Sequence, residues 1–569
     1  MDTKNNRTSI LLGLVLLSAY VGLVLLYHIP RLSVITPDAV AYARMARRFV
    51  SGDFMGAVTG HWSPFLSFCL APLLFLVDDD LVAIRIIIIF WGGLFVFSFG
   101  LLVKRFVQGQ RLQLIAMACV VVLAAEWSHS QTPDLILCAW LSLYFYLVTE
   151  ASLWRSKWKA FGVGIVGGVA YLTKHYALPF FLLSFPLLLF LSWRRERDSW
   201  PRPLAHYIKF LCVGFFGFFL IAGIWFGPLS LKYGRLLFET SGRFAYQYSV
   251  CKYNKIPFPG SMQNRLQKPQ EGDISVWERG LGNDFLNSGG ESGLPKFCNA
   301  KTQALVLLDN FMKLISYLYK FGCAPGVIVF PLLAGILFIR RAERRFFAFW
   351  VLIGAVTYSA GYLLVYFGAF RYSWPIMMLN FLGAFYLLGE ALPFFERRHV
   401  RASVKRFFLF SVLASFLFSP LWFLLKPFFY YLPSKHAVDF FKENNSGRVV
   451  TDVSELRCPL NVNLWKEAAS SLAPFVTGPF ASDGLFFGYA IVIAHYLGQP
   501  YLGAPCSAEL DRKIDEMRKE TVKFYIVFND FRGTARKLKN DKKLPLIYSC
   551  DAFLNSRLSF DVFKVEPSS

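Results

Sequence analysis

The chain has 569 residues, of which 55% are hydrophobic, 18% are aromatic and only 17% are charged. A soluble protein carries about a quarter charged residues, so this composition excludes an ordinary soluble protein and indicates a polytopic membrane protein. The formal net charge of +23 suggests nucleic acid as a partner, but the distribution of the charges explains the excess in another way.

Long apolar runs follow one another along most of the chain. They lie near residues 10–27, 81–103, 112–126, 134–150, 160–173, 177–192, 208–230, 325–339, 346–367, 373–392 and 407–425. A helix needs roughly 20 residues to span a bilayer, so the shorter runs must borrow flanking residues or lie tilted in a bundle. The sequence therefore predicts a polytopic α-helical membrane protein with about eleven transmembrane helices.

Basic residues collect in alternate connections between these runs. The six basic segments lie at residues 4–7, 104–111, 155–159, 194–209, 340–345 and 397–406. Short loops rich in Lys and Arg stay in the cytoplasm. This pattern predicts a cytoplasmic N-terminus and a non-cytoplasmic C-terminus, and it makes nucleic acid unnecessary as a partner.

The same count requires that residues 64–77, which contain two prolines, do not cross the membrane. We expect a juxtamembrane or re-entrant helix there. The predicted transmembrane domain is 1–428, with outer loops at 28–80 and 231–324. Residues 429–569 are predicted to form a small non-cytoplasmic α/β domain.

Alternating helix and strand patterns in the tail predict a short parallel or mixed sheet. Helices are expected at 435–443 and 508–519, and strands at 447–453 and 522–529. Six cysteines fall on the outer side, where disulfides are permitted. Cys251 with Cys298 is the first pairing to consider among the fifteen possible ones.

The first outer loop begins with a helix signal. Thr36 is suited to the N-cap and Pro37 to the first helical turn. Apolar side chains then follow at helical spacing on one face, and Arg44, Arg47 and Arg48 lie on another, which indicates an amphipathic helix at the membrane surface. The helix dipole is by itself enough to explain an acidic residue such as Asp38 in the first turn. The arginines suit either anionic headgroups or a lipid-linked phosphate.

The stretch TPDAVAYARMARRFVSGDF resembles the first outer loop of the GT-C membrane glycosyltransferases that use polyprenyl-phosphate sugars. Its pattern is most similar to the protein O-mannosyltransferases and the lipid A aminoarabinose transferases. Further matching motifs follow in order over roughly residues 8–392: His61 with Pro64, Arg85, Pro133-Asp134, Leu172-Thr173-Lys174, and Arg371-Tyr372 with Pro375. Ala39 is a departure, because those two branches carry an acidic residue after the aspartate.

The resemblance implies an inverting transfer in which Asp38 is the general base. It makes Lys174 and Arg371 candidates for the donor phosphate; the alternative is that both anchor helix ends by snorkelling.

Four further residues complete the predicted substrate site. Tyr372 belongs to it with Arg371. Arg85 is either buried in the site or paired with Asp79 or Asp80. Asp134 either orients the cations or binds sugar, or it caps its helix. His61 contacts phosphate or sugar, or it satisfies loop backbone.

The resemblance implies a polyprenyl-phosphate-linked sugar donor and a lipid, glycan or protein acceptor, in the bacterial inner membrane. No three-ligand metal pattern occurs in the sequence, so we expect no cofactor and metal-independent chemistry.

Two alternatives from other classes remain, a transporter or flippase and a non-catalytic scaffold. A transporter predicts charges within helices and internal repeats, whereas these ionisable residues collect at outer helix ends. An oligosaccharyltransferase of the asparagine-glycosylating type is the enzymatic alternative, and its Trp-Trp-Asp motif is absent from the sequence.

Overall fold

The computed structural model describes residues 3–28, 35–150, 153–154, 156–197, 203–254, 266, 268–269, 271–279, 300–338, 342–431, 464–482, 487–505, 509–528, 534–540, 543–550 and 560–565. Its helices are α1 (Thr3–His28), α2 (Pro37–Val50), α3 (Phe54–Ala57), α4 (Phe65–Leu73), α5 (Asp80–Phe106), α6 (Gln110–Trp127), α7 (Asp134–Val148), α8 (Lys157–Thr173), α9 (Ala177–Arg197), α10 (Leu204–Tyr233), α11 (Ser241–Asn254), α12 (Ala300–Ile336), α13 (Ala342–Leu364), α14 (Trp374–Arg397), α15 (Ala402–Tyr431), α16 (Leu464–Leu472), α17 (Phe487–Leu497), α18 (Leu510–Lys519) and α19 (Thr534–Asn540). Short 3₁₀ turns occupy Val276–Arg279 and Phe370–Ser373. The strands are β1 (Phe480–Ser482), β2 (Phe524–Phe528), β3 (Leu546–Cys550) and β4 (Phe560–Lys564).

The chain divides into two compact units. The first comprises Met1–Tyr27, Phe54–Tyr253 and Phe297–Phe429, and the second comprises His28–Asp53, Asn254–Lys296 and Tyr430–Ser569. The sequence-based division at 428/429 had assigned residues 28–53 and 254–296 to the transmembrane domain.

The first unit is a helical membrane bundle. Each of the eleven apolar runs coincides with a helix over most of its length, and these helices are α1, α5 to α10 and α12 to α15. Among the described residues, eight helices are long and apolar enough to cross a membrane, and α7 is a shorter apolar helix. The protein is therefore a multi-pass membrane protein. The segment predicted not to cross forms α4, which has 9 residues and is too short to span a bilayer.

Helices α8 and α10 approach each other closely because glycines face each other. A Cβ added to Gly164 would lie 1.9 Å from the carbonyl oxygen of Gly214, and one added to Gly217 would lie 2.5 Å from that of Phe161. Small residues permit such backbone contact between membrane helices. This packing fixes the end of α8, where Lys174 follows.

Helix α12 (Ala300–Ile336) crosses the predicted boundary between the outer loop 231–324 and the membrane span that begins at 325. The helix bends at Gly322 and Cys323, where Cys323 has a φ of 51°. Its first part therefore extends directly from a membrane helix.

The second unit contains a four-stranded mixed sheet in the order β1-β2-β4-β3. β1 pairs with β2 in parallel, whereas β4 is antiparallel to both β2 and β3. All five residues of β2 are buried, as expected for the apolar sequence FYIVF in a central strand. Ile514 and Met517 of α18 contribute to the same core. The predictions of a mixed sheet, of helix 508–519 and of strand 522–529 are confirmed.

Other predictions for the outer regions fall on residues that the structure does not describe. These are the helix at 435–443, the strand at 447–453 and Cys298 of the suggested disulfide.

Helix α2 belongs to the second unit and begins at the predicted residue. The Thr36 hydroxyl accepts a hydrogen bond from the Ala39 amide at 3.2 Å, and Pro37 occupies the first turn. Ala39, Tyr42, Ala43 and Ala46 are buried, which confirms the amphipathic pattern. Asp38 therefore lies in the first turn of a well-capped helix.

Candidate functional site

A carboxylate and two cations converge at one end of the first unit's bundle. Asp134 begins α7, Lys174 directly follows α8, and Arg371 lies in the 3₁₀ turn before α14. Lys174 Nζ donates to Asp134 Oδ1, and Arg371 Nε lies 3.3 Å from Asp134 Oδ2. We call these three residues the Asp134 cluster. Its two cations and one carboxylate leave a net positive charge.

The acid of the cluster is buried, whereas its two cations are partly exposed to solvent. The Asp134 side chain is 3% exposed, whereas the side chains of Lys174 and Arg371 are 18% and 30% exposed. The buried acid therefore holds two cations that solvent still reaches. Such an arrangement suits the binding of an anionic group such as a phosphate.

Thr132 fixes the carboxylate and was missed by the sequence analysis. Its hydroxyl donates to Asp134 Oδ2 at 2.8 Å, and Ser130 lies within hydrogen-bond distance of the same hydroxyl. Pro133 occupies the N-cap position, so Asp134 is not itself the cap. The sequence contains a pattern that could have drawn attention to Thr132, because Thr-Pro-Asp occurs twice in the chain, at 36–38 and at 132–134.

Three tyrosines stack beside the two cations. Tyr176 and Tyr362 have ring centroids 3.8 Å apart, and Tyr362 stacks on Tyr372 at 5.3 Å. Lys174 Nζ lies 4.2 Å from the centroid of the Tyr372 ring, within cation–π range. The Tyr372 ring therefore contacts Lys174 in addition to its ion pair with Asp134, so Tyr372 lies beside the Asp134 cluster.

The turn that carries Arg371 is anchored on both sides. Trp374, directly after it, stacks on Trp127 with centroids 4.8 Å apart and planes 4° apart. Before it, Asn310 of α12 donates to the Tyr362 and Leu363 carbonyls at 3.2 and 3.1 Å and accepts from the Phe367 amide at 3.1 Å. Asn310 is 2% exposed, so these bonds are protected from water.

We expect Asn310→Ala to destabilise the protein by about 3 kcal/mol, because it leaves buried backbone groups without their partner. The matched control is Gln303→Ala, which removes a single exposed bond from the same helix to the Leu364 carbonyl. That change is expected to cost at most about 0.5 kcal/mol. Thermal unfolding in nanodiscs measures both, and equal midpoints for the two variants would contradict this assignment.

His61 lies in the same unit, in a segment that contacts the residue next to Lys174. The His175 amide donates to Ser63 Oγ at 2.9 Å, and His175 is 2% exposed. The His61 ring packs edge-on against Trp62 and Phe244. The loop 59–63 therefore braces the connection between α8 and α9.

Arg85 is buried in the second turn of α5, at 7% exposure, and Asp80 in the first turn is 5% exposed. Asp79 serves as the N-cap of α5 and accepts from the Leu81 and Val82 amides. Of the seven predicted site residues, the structure thus brings Asp134, Lys174, Arg371 and Tyr372 together, and it places His61 and Arg85 in the same unit.

Asp38 belongs to the second unit and is half-buried at the start of α2. The arginines of that helix have partners that the sequence analysis missed. Arg44 pairs with Glu278 and Arg48 pairs with Asp273, both in the segment 271–279. Arg44 and Arg48 thus have carboxylate partners within the second unit.

The family model described as Dolichyl-phosphate-mannose-protein mannosyltransferase matches residues 61–225. That segment contains His61, Arg85, Asp134 and Lys174. No curated protein sequence matches the chain.

Two solved structures share the architecture. ArnT from Cupriavidus metallidurans, bound to undecaprenyl phosphate, is 14% identical with a TM-score of 0.52, over 98% of each chain. The Archaeoglobus fulgidus oligosaccharyltransferase in its apo form is 14% identical with a TM-score of 0.51, over 90% of this chain and 70% of that one.

These likenesses show the fold: the chain is a multi-pass membrane protein with the GT-C architecture of ArnT and the oligosaccharyltransferase. Within that architecture, residues 61–225 carry the sequence pattern of the dolichyl-phosphate-mannose-protein mannosyltransferases. Both findings confirm the resemblance and the fold that the sequence predicted.

Proposed function

We propose that the protein transfers a sugar from a polyprenyl-phosphate donor to a hydroxyl group of a lipid, glycan or protein. The observation that carries this proposal is the Asp134 cluster, in which one buried carboxylate holds two partly exposed cations. The GT-C fold and the family match over the segment containing two of its members support it. The undecaprenyl phosphate in the ArnT structure makes the donor's lipid phosphate a fitting ligand.

In the proposed reaction, the acceptor oxygen attacks the anomeric carbon from the side opposite the phosphate. A bond forms between that oxygen and the anomeric carbon, and the bond between this carbon and the phosphate oxygen breaks. Asp38 takes the acceptor proton, and polyprenyl phosphate leaves with the bonding electrons. The configuration at the anomeric carbon is inverted.

Lys174 and Arg371 bind the phosphate and stabilise the negative charge that develops on its leaving oxygen. Tyr372 holds Lys174 in place, Asp134 orients both cations, and His61 and Arg85 complete the substrate site. The two cations supply positive charge next to the phosphate, so the proposal includes chemistry without a metal ion or other cofactor.

The proposed location is the bacterial inner membrane, with the N-terminus in the cytoplasm and the C-terminal α/β domain on the outer side. The support is the alternation of basic connections between the membrane helices. A transporter, flippase or scaffold is not favoured, because the fold and the family match are those of glycosyltransferases.

Mass spectrometry of lipid and glycan fractions tests the function. We expect a strain lacking the protein to lose one glycosylated product and to accumulate a polyprenyl-phosphate sugar, and the intact gene to reverse both changes. The donor identified in this way is then given to the purified protein in nanodiscs, where we expect transfer to continue in EDTA. An unchanged product profile, or transport of the donor without transfer, would overturn the proposal.

A further inference from the structure

The segment 271–279 binds the helix that carries Asp38. Arg48 Nη2 donates to Asp273 Oδ1 at 2.5 Å, and Arg44 Nε donates to Glu278 Oε2 at 3.3 Å. Arg44 also donates to the Gly272 carbonyl at 3.0 Å. We call this set of contacts the α2 clamp. All of its residues belong to the second unit.

The two ion pairs define the position of α2 more tightly than one would. Arg44 and Arg48 are four residues apart, so they lie one helical turn apart on the same face. Their partners, Glu278 and Asp273, are separate points on one short segment. A rotation of α2 about its axis, or a shift along it, therefore breaks at least one pair.

The carboxylates of the clamp are buried, which separates it from ordinary surface ion pairs. The Asp273 and Glu278 side chains are 1% and 5% exposed. Burial raises the pKa of Glu278 above its ordinary value, while Arg44 opposes that rise. Surface pairs contribute little to stability, but a buried carboxylate that loses its cation is costly. Breaking either ion pair of the clamp would therefore leave a buried carboxylate without that cation, which is unfavourable.

The backbone conformation of the segment 271–279 leaves room for the Arg48 side chain. Gly272 has a φ of +81°, and a Cβ there would lie 3.2 Å from the Arg48 guanidinium. Glu278 Oε1 accepts from the Ile274 amide at 2.7 Å, which closes the segment on itself. Glycine is the residue that adopts this conformation without strain and leaves room for the arginine.

The segment is also joined to the sheet of the same unit. The Tyr501 amide donates to the Ile274 carbonyl at 2.7 Å, and Ser275 forms a parallel bridge with Tyr501. The Tyr501 hydroxyl lies 2.9 Å from the hydroxyl of Ser482 in β1. A continuous chain of contacts thus runs from the sheet through 271–279 to α2.

We propose that Asp273 and Glu278 are positioning residues, which hold α2 so that Asp38 at its first turn is correctly placed to accept the proton of the acceptor. The inference rests on the proposed function, because it assigns Asp38 the role of base. It gives the long insertion between α10 and α12 a task in catalysis.

The test uses Asp273→Asn and Glu278→Gln in the full-length protein, each of which removes a charge at nearly constant volume. We expect kcat per folded protein to fall about 100-fold, because small displacements of a catalytic group are costly. We expect the KM for the polyprenyl-phosphate donor to stay unchanged, since these variants do not alter Lys174 and Arg371, the residues proposed to bind the donor phosphate. Glu278→Asp, which keeps the charge, restores a large part of kcat.

Two controls separate positioning from general stability. Arg512→Gln removes an exposed ion pair with Glu509 in the same unit and should leave kcat unchanged. Met517→Ala weakens the core of that unit, where Met517 is 1% exposed, without touching the clamp. It should lower the unfolding temperature but not kcat measured well below that temperature.

The outcomes are distinguishable. Full kcat in Asp273→Asn and Glu278→Gln, together with an inactive Asp38→Asn, overturns the clamp and leaves the proposed function standing. Loss of kcat in Met517→Ala equal to that of the clamp variants also overturns it, since the role would then be structural. Full activity of Asp38→Asn overturns the proposed function itself. If the charge-removing variants do not fold, Arg48→Lys decides in their place, because it replaces the guanidinium that holds Asp273. Full kcat in that variant then overturns the clamp.

Discussion

Replacing Asp38 by asparagine is expected to lower turnover about 100- to 10,000-fold, the usual contribution of a general base. The amide keeps the size of the side chain and its place in the first turn of α2 but has no basic oxygen. The buried face of the helix and its cap at Thr36 are unaffected. The protein should therefore fold and reach the membrane in normal amounts, and initial rates of sugar transfer at saturating donor measure the loss.

The matched control is Thr36→Ala, on the same helix end. Asp38 also interacts favourably with the helix dipole, which contributes about 0.3–1 kcal/mol. Thr36→Ala removes the cap hydrogen bond to the Ala39 amide, which costs about 0.5–2 kcal/mol, and leaves the carboxylate in place. Near-normal turnover in Thr36→Ala beside a large loss in Asp38→Asn supports the base. Similar losses in the two variants would show that Asp38 serves the helix.

The membrane bundle was predictable from the sequence because its signals are local and strong. Each apolar run corresponds to one helix over most of its length, and the N-cap and amphipathic face of α2 are evident from a few consecutive residues. The tail was predictable in the same way where an apolar stretch such as 524–528 forms a buried central strand. Hydrophobic period and capping residues determine such elements before any tertiary contact is known.

The Asp134 cluster was predictable only as a set of candidates at helix ends. The sequence offered two interpretations of Asp134, as helix cap or as partner of cations. The structure shows the contacts of Asp134 with Lys174, which lies 40 residues away after the next helix, and with Arg371, which lies much farther along the chain. Long-range pairing of this kind has no signature in one sequence, because it depends on how α7, α8 and α14 pack.

The ion-pair partners of the α2 arginines were likewise not predictable from the sequence. Arg44 and Arg48 lie on the polar face of an amphipathic helix, so anionic lipid was a reasonable expectation. Arg48 pairs with nearby Asp53, but the other carboxylate partners, Asp273 and Glu278, are more than 200 residues away, in a segment whose sequence has no strong periodicity. Only the Gly272 position, with its positive φ, marks that segment as a shaped turn.

Lys174→Gln is expected to lower kcat about 10- to 100-fold, because a hydrogen bond to a charged group contributes about 1.5–3 kcal/mol.

Asp134→Asn removes the negatively charged partner of the same ion pair. It leaves Lys174 and Arg371 without their carboxylate and should destabilise the protein by about 2 kcal/mol. That is less than the loss of a fully buried pair, since both cations remain partly exposed. Transfer rates and thermal unfolding in nanodiscs measure the two effects.

The control lies at the other ends of the same two helices. Glu150 follows α7 and Lys159 lies in the first turn of α8, and they form an ion pair at 2.6 Å with side chains 29% and 40% exposed. Lys159→Gln removes a pair of the same kind, so it should change stability by at most about 1 kcal/mol and leave kcat unchanged. A comparable loss of kcat in Lys159→Gln would mean that charge pairing between α7 and α8, and not phosphate binding, explains the Lys174 result.

The double variant Asp134→Asn with Lys174→Gln decides how the cluster works. If Asp134 acts by orienting Lys174, removing the lysine removes most of what the acid does, and the combined loss of kcat is smaller than the product of the single losses. Arg371 then carries the remaining dependence on the acid, through its own contact with Asp134 Oδ2. Strictly multiplicative losses would instead show that Asp134 and Lys174 contribute independently, with the acid binding the sugar rather than aligning the cations.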